Sequence, residues 1–286
     1  MRMFALMLLA GLTVRAEDVT VTELSPTLLL FGTSAGNVLT SIGPDGALMI
    51  GTPSAASTKK ISAILNARTK SSLRYLVVAP ESVDATEGDA GWQKLGAFAA
   101  MHEKALNRLG GHAMGPLQPL PAHLVRLGVD RPRIAFSEVI TFDMNGDSIH
   151  VVHQQPGFSD ADSVVHVEVA NIIYLGEVFP GDGYPLLDSR QGANLDGMLH
   201  ALEHWSGGAF RIAPARGKLT NGAALRAFHD MIVSVRGKVQ QSINAGASVE
   251  QVVAQHPAAE FDAQWGHGRV TSDDFVRSIY NSLSGR

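Results

Sequence analysis

The chain has 286 residues, of which 45% are hydrophobic and 17% charged, enough to bury one large core or two small ones. Its formal net charge is −4 and it carries no basic run, which excludes the electrostatic footprint of a nucleic-acid binder. It has no cysteine, so disulfides, thiolate metal sites and a cysteine nucleophile are excluded as well.

Residues 1–16 read as an export signal: Arg2, an apolar stretch from Phe4 to Val14, and Val14-Arg15-Ala16 as a small-residue cleavage site. That stretch is too short to span a bilayer, so the mature chain, residues 17–286, is expected to be periplasmic or secreted with no membrane span. Apolar or alternating runs at Val19 to Leu24, Thr27 to Phe31, Asn37 to Ile42 and Ala47 to Ile50 predict an antiparallel meander, with Gly43-Pro44-Asp45-Gly46 as a turn. Lys59 to Arg68 has Ile61, Ile64 and Leu65 at helical spacing. The strand Tyr75 to Ala79 follows, breaks at Pro80, and delivers a polar, glycine-containing loop that runs to Gly91.

Trp92 to Leu109 reads as mostly helical, interrupted near Gly96, and Gly110 to Arg131 as an irregular Gly, Pro and Leu-rich excursion. Glu138 to Met144 and Ser148 to His153 flank Asn145-Gly146, a strong hairpin signal because both turn residues tolerate positive φ. Two more strands, Ser163 to Val169 and Ile172 to Gly176, precede a helix at Leu195 to Trp205 with Leu195, Met198, Leu199 and Leu202 inward. A short strand, Phe210 to Ala213, and helices at Asn221 to Ala245, Val249 to His256 and Ser272 to Leu283 close the chain. No repeat or low-complexity linker divides it, so one domain with two β-rich halves and helices outside is expected.

Several segments carry a likeness. Ala79-Pro-Glu81-Ser-Val83-Asp84-Ala85-Thr86-Glu87-Gly-Asp89 stands where a known family has Asn-Thr-His-x-His-x-Asp-His-x-Gly-Gly. His153-Gln-Gln-Pro-Gly-Phe158-Ser-Asp160-Ala-Asp162 is similar to that family's His-x-Pro-Pro-x-His-Thr-Asp-Gly-Asp. Tyr174-Leu-Gly-Glu177-Val-Phe is similar to its His-Thr-Gly-Asp-Leu-Phe, and Ile212-Ala-Pro-Ala-Arg216-Gly217 to its Val-Pro-Gly-His-Gly. The chain thus resembles the metallo-β-lactamase superfamily over about residues 19 to 284, as a divergent member. The resemblance implies an α+β fold, a four-layer αββα sandwich with two zinc ions in the parent family.

The seven ligand places of that resemblance hold Glu81, Val83, Ala85, Thr86, Phe158, Glu177 and Arg216, and two of them, Glu81 and Glu177, offer carboxylates. A catalytic zinc needs three protein ligands and an open position, and Arg216 adds a permanent positive charge. No metal, no cofactor and no catalytic residue are therefore expected. Glu81, Asp84, Phe158, Glu177 and Arg216 are read instead as a vacated metal pocket that binds a small molecule or a partner's loop, with Arg216 paired to Glu177. The reading is a non-catalytic member, a pseudoenzyme; the alternative is a divergent hydrolase with a rebuilt mononuclear or metal-free site.

Other motifs weigh less. Glu81, Asp84, Glu87 and Asp89 lack the spacing of a calcium loop and read as a solvated acidic loop. Gly32-Thr-Ser34-Ala-Gly36 matches a nucleophile elbow in letters but is followed by a strand rather than a helix. His200 and His204 lie off the apolar stripe of their helix and are expected to face water, and His112 and His123 have no partners in the pattern. His150 and His153 are read as a pair on one face of their strand, near Asp160 in sequence.

Overall fold

The computed structural model describes residues 18–51, 53–78, 91–108, 122 and 132–285. The export signal lies outside the described residues. So do Glu81, Asp84 and most of their loop, and the 110–131 excursion except for Ala122.

Thirteen strands form among the described residues. They are β1 (Thr20–Ser25), β2 (Leu28–Gly32), β3 (Asn37–Ser41), β4 (Ala47–Ile50), β5 (Leu73–Val77), β6 (Phe98–His102), β7 (Ile134–Phe136), β8 (Val139–Met144), β9 (Asp147–His153), β10 (Ser163–Val167), β11 (Ile172–Tyr174), β12 (Arg211–Ala213) and β13 (Thr220–Asn221). The first seven make one sheet in chain order, antiparallel up to β4 and parallel from there to β7. The other six make the second sheet, in the order β13-β12-β11-β10-β9-β8, with β11 and β12 parallel. Among the described residues the helices of six residues or more are α1 (Ala55–Arg68), α2 (Glu103–Arg108), α3 (Leu195–Ser206), α4 (Gly222–Asn244), α5 (Val249–Ala254) and α6 (Ser272–Leu283).

Three separate cores show how these elements stack. Side chains alternate across a strand, so a strand buried on both faces must be apolar at every position. In β2, Leu28 and Leu30 point into a core shared between the two sheets, while Leu29 and Phe31 point into one shared with α1 and α2. In β11, Ile172 and Tyr174 enter the inter-sheet core, and Ile173 enters a third core built with α3, α4, α5 and α6. Two helix–sheet cores and one sheet–sheet core make four layers, the αββα sandwich expected from the sequence.

Two expectations are corrected. The 98–102 stretch, read as helix, is strand β6: its two alanines are weak strand formers, but it lies between β5 and β7 with Ala99, Ala100 and Met101 buried, and pairing from both sides overrides local preference. Helix α1 starts four residues earlier than its apolar spacing suggests, because Ser54 caps it by accepting from the Ser57 amide.

The Asn145-Gly146 turn forms with φ of 55° and 80°, as expected for a two-residue hairpin. The Asn145 amide also crosses to the other sheet, donating to Ser41 Oγ and the Gly46 carbonyl and accepting from the Asp45 amide. No described helix is long and apolar enough to cross a membrane.

Candidate functional site

Strands β11 and β12 run parallel, so their C-terminal ends leave the second sheet at the same edge. After β11 the chain turns at Gly176, at φ 53°, into a short 3-10 turn that presents Glu177. After β12 it enters Pro214-Ala215-Arg216-Gly217. The two segments are laced together, with the Ala215 amide on the Phe179 carbonyl at 3.0 Å and the Arg216 amide on Pro180 at 2.9 Å.

The first sheet reaches across to the same place. Asn37 donates from its side chain to the carbonyls of Pro214 and Gly217, its main-chain amide meets the Ala215 carbonyl, and Tyr174 donates its hydroxyl to the Asn37 carbonyl. The approach is close: a Cβ at Gly181 would lie 2.4 Å from the Arg216 carbonyl oxygen. Gly181 also has φ 85°, so glycine is required there twice over.

This frame fixes the Arg216 side chain. Its Nη1 and Nη2 donate to the two oxygens of Glu177, with Nη2–Oε2 at 2.8 Å, and its Nε donates to Asp182 at 3.0 and 3.2 Å. Arg216 and Glu177 are largely buried, with 14% and 17% of their side chains exposed; Asp182 is 38% exposed. Burial would by itself push the guanidinium's pKa down, but the carboxylates of Glu177 and Asp182 more than offset this and hold it raised. The cation is locked in its charged form. Two carboxyl groups share one guanidinium, so the cluster formally carries one excess negative charge.

Phe158 and Glu177 line one small cavity, about 20 Å³, together with Ile50, Val77 and Tyr174. It has room for about one water and lies between the sheets. Phe158 is half-buried against the helix-side core, and its amide donates to Asp162 at 2.7 Å. The buried Asp162 carboxylate also accepts from the amides of Gly157 and Ser159 and from Ser159 Oγ, which ties the 157–162 loop into one unit. Burial pushes the Asp162 pKa up, against the pull of these donors.

The structure thus brings Glu177 and Arg216 into direct contact and places Phe158 on the same cavity as Glu177. Glu81 and Asp84 lie outside the described residues. Sequence reasoning did not single out Asp182, whose only signal is its place in a Gly-Asp-Gly turn five residues after Glu177.

The histidines divide differently from the sequence reading. His150 and His153 are three residues apart and therefore face opposite sides of β9. His150 meets Thr141 at 3.0 Å and Glu168 at 3.3 Å, whereas His153 stacks on His102 of the first sheet with ring centroids 4.0 Å apart. His200 and His204 are exposed, as expected.

The described part of this site does not fit a zinc centre. Phe158 has no donor atom, Arg216 is a cation, and both Glu177 oxygens are held by that cation. Among the described residues no three histidine or carboxylate side chains are grouped to hold a metal ion.

No family model matches the chain, and no curated protein matches its sequence. Solved structures do. A metallo-β-lactamase from Pontibacter korlensis is similar over 76% of this chain and 99% of its own, with a TM-score of 0.60 and 15% identity. A metallo-β-lactamase from Hirschia baltica gives 0.58 and 19%, over 75% and 97% of the two chains. The stereoselective inverting sec-alkylsulfatase Pisa1 from Pseudomonas sp. gives 0.65 and 14%, and covers 92% of this chain, which spans half the length of Pisa1.

Proposed function

We propose that this chain, which has the metallo-β-lactamase fold, is an exported pseudoenzyme in which Arg216 stands in for the missing metal and the surrounding pocket serves binding rather than turnover. The observation that carries the reading is the guanidinium itself. At the last ligand place of the family pattern a buried arginine holds Glu177 through two parallel hydrogen bonds and Asp182 through a third group, which is what a cation would otherwise do for those carboxylates. A metal approaching Glu177 would have to displace that contact while facing a fixed positive charge.

Export is supported by the Arg2, Phe4 to Val14 and Ala16 pattern, and residues 17–286 are read as one domain. The excess of one carboxyl group in the cluster favours a neutral or cationic ligand group, or a basic side chain on a partner's loop, over an anion.

The alternative, a divergent hydrolase with a rebuilt site, draws on two facts. The solved relatives named above are enzymes by their titles, and two carboxyl side chains, Asp162 and Glu177, line the same cavity. Separated carboxyl environments can make an acid and base pair. Here Asp162 is saturated by four donors and Glu177 is held by Arg216, so neither is free to move a proton.

Elemental analysis of the mature protein after dialysis against micromolar zinc, with parallel assays on a β-lactam, a lactone and a thioester, decides between them. We expect neither bound zinc nor turnover attributable to this pocket. One or two zinc ions per chain that vanish in Glu177→Ala, or hydrolysis that vanishes in Glu177→Gln, would overturn the reading.

A further inference from the structure

An open groove of about 660 Å³, which shares no lining residue with the cavity at Glu177, lies between the 186–194 loop, the 269–270 turn and helix α6. Its volume falls in the range of sites that take one small molecule. Leu186, Leu187 and Val270 give it apolar surface, and Leu186 is 39% exposed. Three guanidiniums line it, from Arg190, Arg269 and Arg277.

These cations are unequally engaged. Arg190 chelates Asp188, with Nε–Oδ1 at 3.0 Å and Nη2–Oδ2 at 2.8 Å, so this pair cancels. Arg269 donates to the main-chain oxygen of Ser34 and pairs with no carboxylate among the described residues. Arg277 has its carboxylate partner, Glu250, at 3.6 Å, and is 43% exposed. The remaining acid, Asp274, accepts from the Thr271 hydroxyl at 2.7 Å as part of the α6 cap. Two guanidiniums without a close carboxylate partner therefore stand with one capped carboxylate beside an apolar surface.

We propose that this groove binds a small carboxylate-bearing amphiphile, with its carboxylate on Arg269 and Arg277 and its apolar body against Leu186, Leu187 and Val270. Guanidinium groups favour carboxylates because their parallel donors match the two oxygens. The apolar wall requires more than a bare ion, and the count of charges disfavours a cationic head.

The proposal is independent of the pseudoenzyme reading. Its test is calorimetric titration of the full mature chain with decanoate, decylammonium and inorganic phosphate. Decanoate should bind one per chain, at least about tenfold more tightly than either of the others, and more weakly as salt rises. The Arg269→Gln/Arg277→Gln double variant should lose at least about tenfold in decanoate affinity, and Asp274→Asn should gain. All three side chains are solvent-accessible, so an unchanged melting midpoint confirms the fold of the double variant; Thr271→Ala, which removes the cap but not the charge, controls for the helix end in Asp274→Asn. Equal decanoate affinity in the double variant, decylammonium binding as tightly as decanoate, or phosphate matching decanoate would each overturn it.

Discussion

Arg216 shows how one side chain can set the character of a site. With its carboxylate partner mostly removed from water, deleting the guanidinium leaves Glu177 buried and unpaired, so Arg216→Ala should cost about 3 kcal/mol at neutral pH. Asp182 reaches solvent, and Asp182→Asn should cost less than about 1 kcal/mol. Urea unfolding of both variants checks the ranking; equal losses would mean that burial does not decide it.

His102 contributes a pH dependence to stability. Its Nε2 donates to the Ser137 carbonyl at 2.8 Å and its Nδ1 accepts from the Lys104 amide at 3.3 Å, an arrangement that only the neutral ring satisfies. Burial, with the stacked His153 adding to it, lowers its pKa below the ordinary value. The unfolded chain then takes up a proton near pH 6.5 that the folded chain refuses until lower pH, so stability is lost as pH falls through 6.5 toward the folded value. Unfolding free energies from pH 8 to pH 5 should fall for the native chain and fall less for His102→Gln. The pairing of Arg216 with Glu177 could be written down from the family pattern, because both stand at ligand places. Asp182 and the His102–His153 stack could not, since each depends on which loops and sheets meet in space.

Among the elements, α3 and α4 make opposite use of glycine. A Cβ on Gly197, in the first turn of α3, would lie 1.8 Å from the Pro156 carbonyl oxygen, whereas one on Gly237 of α4 would meet nothing within 4 Å. In an unobstructed helix, glycine to alanine stabilises by about 1 kcal/mol. Gly237→Ala should therefore raise stability by roughly 0.5–1 kcal/mol, and Gly197→Ala should lower it by about 2 kcal/mol or more as the helix is pushed off the 153–162 loop. Thermal melts of the two variants must move in opposite directions.

Element recognition divides along the same line between local and distant causes. The α3 stripe of Leu195, Met198, Leu199 and Leu202 is buried as its spacing requires, and the 145–146 turn carries its φ preference in its own two residues. Strand β6 has no such local mark: Phe98-Ala-Ala-Met-His becomes strand only because parallel partners stand on both sides. Strand β7, three residues long at the edge of the sheet, has β6 as its one partner and is too short to show a period of its own.

On the scale of the whole molecule, the layers follow the chain. The first sheet is built entirely from residues before Ser137 and the second entirely from residues after it, and α3 to α6 pack only on the second. That division was legible in the two β-rich halves of the sequence, because runs apolar at every position demand cover on both faces. The order of the elements already fitted two sheets packed face to face, and the family pattern implied the same stacking.

The same division bears on how the protein reaches its folded state. The first half can complete its own helix-covered layer while the other face of its sheet, with Leu28, Leu30, Leu39, Leu48 and Ile50, waits for strands β8 to β12 to arrive. An apolar sheet left open in this way is prone to associate with its own copies. Refolding yield should therefore fall with protein concentration. A fragment ending near Ser137 should precipitate where the whole chain stays in solution, and adding the second half as a separate polypeptide early in refolding should rescue it.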